Sequence, residues 1–114
     1  MSDPAAAADA YFKAVASRDV EGIRRAFAPD AELVTAAGRY RGPDQIAGFY
    51  RDLVFGARVL EPRPGPYVVE GRRLAVEIEL RMDDSVSSVA DFFTVSEEGL
   101  IERLAIYMGP QSAS

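Results

Sequence analysis

The sequence predicts one α+β domain, residues 1–114, with three N-terminal helices packed on one face of a curved, mostly antiparallel sheet wrapped into a cone. Two observations carry this. Apolar residues repeat at helical spacing through the first half, interrupted by one short strand pair, and alternate at period 2 from Ala57 onward. Turn signals then cut the second half into consecutive short strands, a meander. A chain of 114 residues, 48% of them hydrophobic, supports one core and not two.

Asp3-Pro4 opens the first helix, since Asp caps a first turn and Pro suits the first helical position; Tyr11, Phe12 and Val15 give residues 4–16 an apolar face. Asp19 caps a second helix whose stripe is Ile23, Ala26 and Phe27, with Pro29 as its stop. Ala31 to Thr35 reads as a strand, Ala36-Ala37-Gly38 as a turn and Arg39 to Arg41 as a short return strand. Gly42-Pro43-Asp44 starts a third helix with Ile46, Phe49, Tyr50 and Leu53 on one face. Ala57 to Glu61 is a strand, Pro62 to Pro66 a rigid turn and Tyr67 to Glu70 a short strand. In Arg73–Met82, Val76, Ile78, Leu80 and Met82 alternate with Ala75, Glu77, Glu79 and Arg81. Asp83-Asp84-Ser85 turns into a strand containing Asp91, which ends at Ser96-Glu97-Glu98-Gly99. Leu100 to Met108 is the last strand, and Gly109–Ser114 is a frayed tail.

Composition removes whole classes of chemistry. With no cysteine and no histidine, disulfides, thiolate nucleophiles, imidazole bases and sulfur or imidazole metal ligands are excluded. Catalysis falls to carboxylates, tyrosines, arginines or the single lysine, Lys13, which lies on a helix surface and reads as solvated. A net charge of −5 with dispersed arginines argues against nucleic acid. No apolar run approaches a membrane span, and residues 1–10 lack the basic flank and apolar stretch of a leader. Arginine outnumbers lysine 12 to 1 among 13 basic residues, a bias of GC-rich bacterial coding, and the expected location is cytoplasmic. No acidic calcium loop or glycine-rich phosphate loop is present, so neither metal nor cofactor is expected.

Asp91 is the most informative residue. Val89, Asp91, Phe93 and Val95 share one face of a strand rich in β-branched and aromatic residues; Ala90, Phe92 and Thr94 share the other. Each face carries a Phe, and periodicity does not choose between them. If Asp91 faces inward, burial raises its pKa, and a neutral carboxylic acid in an apolar pocket can donate a hydrogen bond to a developing oxyanion. If it faces outward, it is a solvated acid. Tyr11 and Tyr50 read either as site residues or as core residues with hydroxyls near the surface. Thr35 shares a face with Leu33, pointing into the cone or serving strand propensity alone. Glu32, on the other face, is expected outside the pocket, and Asp83 and Asp84 read as turn residues.

The segments Tyr11–Val34 and Gly38–Tyr50, with F-A-P-D-A at the end of the second helix and G-x-x-x-x-I-x-x-F-Y at the end of the third, resemble the nuclear transport factor 2-like superfamily, in its SnoaL-like and ketosteroid isomerase-like branches. The resemblance runs from about Ala6 to Met108 and implies a cystatin-like cone with a pocket at its mouth. It places Tyr11 and Asp91 at the isomerase oxyanion hole and Tyr50 as the tyrosine that supports Tyr11. Ketosteroid isomerase is the known case of a carboxylic acid kept neutral by burial. The same comparison puts Thr35 where the isomerases carry their general base, and a threonine cannot abstract a carbon-bound proton. SnoaL-like polyketide cyclases rely largely on one acid/base aspartate, which Asp91 could supply.

The expectation is a pocket for a small hydrophobic carbonyl or phenolic compound, steroid- or polyketide-like, with Tyr11 and Asp91 as catalytic residues and Thr35, Tyr50, Phe93 and Leu104 as lining. Proton-transfer chemistry of isomerase or cyclase type is expected, without an aspartate base. The alternative is a non-catalytic binding or dimerisation module in which Tyr11 and Asp91 form a buried structural hydrogen bond. Sheet-to-sheet homodimerisation through Ala75, Glu77, Glu79 and Arg81 is also expected.

Overall fold

The computed structural model describes residues 3–113; Met1, Ser2 and Ser114, which belong to the leader and tail readings above, lie outside the described residues. Helices α1 (Pro4–Ala16), α2 (Val20–Ala26) and α3 (Gly42–Phe49) line the concave side of a seven-stranded sheet. Its strands are β1 (Phe27–Thr35), β2 (Gly38–Arg41), β3 (Leu60–Pro64), β4 (Val68–Glu70), β5 (Arg73–Met82), β6 (Ser85–Val95) and β7 (Ile101–Ala113). Their order is β2-β1-β7-β6-β5-β3, with β4 also on β5. The β1–β7 pairing is parallel and every other pairing is antiparallel, as suits a meander closed by one return.

The helix starts follow capping chemistry. Asp3 accepts from Ala5 N–H at 3.0 Å, and Asp19 accepts from Gly22 N–H at 2.9 Å. Inward residues form rows across the strands. Leu33, Leu104, Phe93 and Leu74 lie in register on β1, β7, β6 and β5, and all are buried beneath the helices.

Several boundaries differ from the sequence reading. Phe27 begins β1 and does not close α2, and Pro29 lies inside β1. The β1–β7 register shifts between Phe27 and Glu32, which accommodates a residue without an N–H. The strand expected at 57–61 is β3 at Leu60–Pro64, so Pro62 and Pro64 are paired residues and not a turn; β3 is an edge strand, where proline is tolerated. Gly109–Ala113 is not frayed, because β6 begins early enough to pair with it: Ser87 opposes Gln111 and Ser85 opposes Ala113. Leu53 is 57% exposed, although expected on the buried face. Helix α3 runs into a π-helical turn at Tyr50–Val54, closed by Phe55 N–H to Tyr50 C=O at 2.7 Å, and the wider turn rotates later side chains outward.

Arg18 fastens the loop after that turn. Its guanidinium donates to the carbonyls of Phe55 at 2.9 Å, Arg58 at 3.3 Å and Ala57, while its own backbone is left-handed at φ 56°. On the convex face, Val34, Ala105, Phe92, Ala75 and Val68 fall in one row across five strands. Phe92 is 44% and the neighbouring Tyr107 52% exposed, which leaves an apolar stripe on the outer sheet.

The two roles of Arg18 are separable. Arg18→Ala should destabilise the chain by about 2 kcal/mol through lost charge-assisted hydrogen bonds. Arg18→Gly loses the same bonds but relieves the left-handed backbone, so it should melt higher than the alanine variant by about 1 kcal/mol equivalent. Equal melting temperatures for the two variants would show that the backbone at this position is unstrained.

Candidate functional site

The cone encloses a cavity of about 330 Å³. Helix α1 supplies Tyr11, Phe12 and Val15; α3 and the π-helical turn supply Phe49, Tyr50, Leu53 and Val54. The opposite wall is the inward face of the sheet: Ile78, Leu80 and Met82 on β5, Val89 and Asp91 on β6, Ile106 and Met108 on β7. The β1–β2 turn contributes Thr35, Ala36 and Ala37 at the mouth. Asp91 is the one charged-type side chain among these residues.

Asp91 faces inward, between Val76 on β5 and Ile106 on β7, and is 3% exposed. Its Oδ1 is buried with no hydrogen-bond partner among the described residues. Desolvation alone pushes the carboxyl up to about 7, since no cation or donor offsets the burial. The expectation that Tyr11 and Asp91 form a structural hydrogen bond is corrected: the Tyr11 hydroxyl bonds to that of Tyr50. Burial holds both tyrosines well above their ordinary range, with Asp91 adding to the effect on each; Tyr50 also raises Tyr11, while Tyr11's hydrogen bond works against the shift at Tyr50. Two hydroxyls sharing one hydrogen bond leave one hydroxyl proton outside it, on whichever tyrosine accepts.

Tyr11 is fixed by aromatic edges. Phe12, Phe93, Tyr50 and Phe27 surround its ring at centroid distances of 5.1, 5.5, 5.9 and 6.2 Å, all edge-to-face. That packing also corrects two lining residues. Phe93 and Leu104 lie one inward row away from Asp91, roughly 7 Å along the strand, and neither lines this cavity. Phe93 instead packs edge-on against Tyr11, and Leu104 is fully buried beside it in the same row.

Thr35 lines the mouth, but its hydroxyl is committed to the turn: it accepts from Ala37 N–H at 3.0 Å and donates to Gly38 C=O at 3.3 Å. Glu32 lies outside, where Arg39 at 3.0 Å, Arg103 at 3.6 Å and Arg41 at 3.8 Å surround its carboxylate. The Arg39 hydrogen bond, foremost, holds that carboxylate below its usual range. Asp83 caps the β3 approach by accepting from the backbone N–H groups of Arg58 at 2.7 Å and Val59 at 3.2 Å. Ile106 and Met108 were not among the expected lining residues; their period-2 placement on β7 was the available signal.

A carboxyl raised by burial destabilises the fold when it ionises. The folded pKa is above the unfolded value, so Asp91's penalty is absent below about pH 4, grows toward about 7 and is constant above that. Asp91→Asn should therefore gain stability relative to wild type by a few kcal/mol between pH 4 and pH 8, at about 1.4 kcal/mol per pKa unit. Denaturant midpoints at the two pH values test the gain, and a carboxyl-carbon NMR titration tests its cause. An Asp91 pKa at or below 4 would remove the buried-acid description.

Residues 8–104 match the SnoaL-like domain. No curated protein matches the chain significantly. Among solved structures, the epoxide hydrolase/cyclase-like enzyme SalBIII, with a role in pyran ring formation in the polyether salinomycin, superposes with a TM-score of 0.87 at 18% identity, over 97% of this chain and 95% of its own. RV0760c from Mycobacterium tuberculosis superposes at 0.86 with 16% identity, over 100% and 98%. A protein from Sinorhizobium meliloti, named as a candidate polyketide cyclase, superposes at 0.80 with 24% identity, over 89% and 93%. At these identities the likeness is one of fold: three helices on a curved seven-stranded sheet. With the domain match spanning most of its length, the chain belongs to the SnoaL-like family, on the nuclear transport factor 2-like fold.

Proposed function

We propose that the cone binds a small hydrophobic carbonyl or phenolic compound, steroid- or polyketide-like, and carries out isomerase- or cyclase-type proton transfer with Asp91 as its acid. One observation carries the reading: a single carboxyl, buried and without a protein hydrogen-bond partner, in an otherwise apolar cavity beside a hydrogen-bonded tyrosine pair. A carbonyl oxygen is a complement to that arrangement. Neutral Asp91 donates one hydrogen bond to it, and the spare proton of the tyrosine pair supplies a second. Both bonds strengthen as negative charge develops on the oxygen, in surroundings where water does not compete.

Near neutral pH Asp91 exists in both protonation states, so the same group can give a proton and take it back. This supports a cyclase-type role in which Asp91 is acid and base in turn. An isomerase role needs a second base, and Thr35, with its hydroxyl held in the β1–β2 turn, does not supply one. A general base is typically worth about 10²–10⁴ in rate.

The outer sheet bears on assembly. The stripe formed by Val34, Ala105, Phe92, Ala75 and Val68 crosses the convex face, and Glu77, Glu79 and Arg81 on β5 stand beside it. We propose that two chains pair through this face, with the exposed Phe92 and Tyr107 as apolar contacts. Light scattering should then return twice the 12.4 kDa chain mass at tens of micromolar, and Phe92→Glu should halve it. A wild-type monomer at that concentration rules the pairing out.

Two measurements test the chemistry. An apolar phenol should bind below pH 7 and weaken above it as Asp91 loses its donor proton, and Asp91→Ala should weaken it at least tenfold below pH 7. Wild type should show little Δ5-3-ketosteroid isomerisation. Thr35→Asp, which puts a carboxylate at the mouth, should raise that rate tenfold or more, equivalent to about 1.4 kcal/mol of barrier. Adding Asp91→Ala should abolish the gain. Equal rates for wild type and a folded, steroid-binding Thr35→Asp would show a pocket not organised for enolate chemistry. Substantial wild-type activity would mean that another residue is the base.

A further inference from the structure

We infer that the same cavity binds lipophilic amines as ammonium ions, paired with Asp91 and held among the aromatic rings of Tyr11, Phe12, Phe49 and Tyr50. This rests on the reading of the cone as a ligand cavity with Asp91 inside it. A buried carboxylate needs a cation or several donors, and among the described residues no arginine or lysine lines the cavity. The chain's eleven ion pairs among the described residues lie elsewhere, on its surface and edges, and none includes Asp91. The missing cation is therefore one a ligand can bring. An ammonium group supplies both the charge and an N–H donor for the unpartnered Oδ1, and aromatic faces attract cations in desolvated surroundings.

The proton balance is simple. When a neutral amine meets protonated Asp91, the carboxyl O–H breaks and an N–H forms, leaving an ammonium carboxylate pair. When an ammonium ion meets ionised Asp91, no proton moves. A carboxylate ligand meets the opposite fate, since two anions cannot share this cavity without one taking up a proton. The overall charge of −5 acts in the same direction, drawing cations and repelling anions.

Asp91 titrates without interference across the useful pH range. Helix α1 presents Tyr11 and the π-helical turn presents Tyr50, both kept neutral by burial. From the strands, β1 presents Thr35, β5 presents Val76 and Ile78, and β7 presents Ile106 and Met108, none of which titrates. Amine binding and phenol binding therefore depend on pH with opposite signs. The amine needs the ionised carboxyl, the phenol the neutral one, and pH selects which class the cavity prefers.

Three ligands with one apolar body and different heads decide the matter: 1-adamantylmethylamine, 1-adamantylmethanol and adamantane-1-carboxylate, titrated calorimetrically at pH 5.5 and 8.5. The amine should tighten about thirtyfold between the two pH values, the ratio of ionised carboxyl for a group titrating at about 7. The alcohol should change less than threefold or weaken, and the carboxylate should bind weakest at pH 8.5. In Asp91→Asn the amine should lose its pH dependence and bind no tighter than the alcohol. The wild-type comparison stands even if that variant fails to fold. Amine affinity that is flat with pH, or a carboxylate that binds as tightly as the amine at pH 8.5, overturns the inference. If the alcohol and an apolar phenol still bind, only the amine inference falls. If no apolar probe binds at either pH, the reading of the cone as a ligand cavity falls, and this inference with it.

Discussion

A carboxyl set into an apolar wall without a counter-charge is the constraint around which this cone is organised. Every other acid described in ion-pair contact lies at the surface or at an element end, where water or arginine compensates it. Asp91 has neither, and its ionisation is opposed by burial alone. The sheet register fixes its place between Val76 and Ile106, so the strand cannot turn the carboxyl outward without exposing Val89, Phe93 and Val95 as well. Burying those three side chains outweighs the cost of one acid, at about 1.5–3 kcal/mol for each large apolar group. The fold therefore tolerates a group that, considered alone, disfavours it.

The aromatic cluster around Tyr11 converts that tolerance into a geometry. Phe93, one row below Asp91, packs on both Tyr11 and Phe12, so the strand that carries the acid also anchors the helix that carries the hydroxyl. Tyr50 closes the group from the π-helical turn, through its hydrogen bond and through ring contact with Tyr11. Arg18 ties the loop after that turn to the α1–α2 junction. Helix, strand and turn thus meet at one polar point in a cavity that is otherwise apolar.

Within the SnoaL-like family this chain pairs a buried acid with a mouth that offers no base. Thr35 occupies the mouth, and its hydroxyl serves the backbone turn and not the cavity. Both proposals for the cavity turn on the proton of Asp91: protonated, the carboxyl would complement an oxygen atom; ionised, it would complement a cation. The convex face is chemically separate, since Phe92 points outward from the same strand on which Asp91 points inward.

The sequence by itself determined the element types and their order, because hydrophobic period, Asp caps and Gly or Pro turns are local signals. It also raised Tyr11, Tyr50 and Asp91 as candidates, with a core or solvent reading open for each, and the family resemblance supplied the roles expected of them. Boundaries at Phe27, Leu60 and Gly109 escaped it: whether a residue pairs depends on the partner strand's reach, and Pro29 and Pro62 are tolerated only through a register shift and an edge position. Which face of β6 looks inward was likewise undecided, with a Phe on each side, until α1 covered one face. Depth along that face was a tertiary matter too. Asp91 and Phe93 share a strand face, yet one borders the cavity and the other is packed edge-on against Tyr11 and Phe12 of α1, because the helix's aromatic rings fill the space over the second row and leave it open over the first.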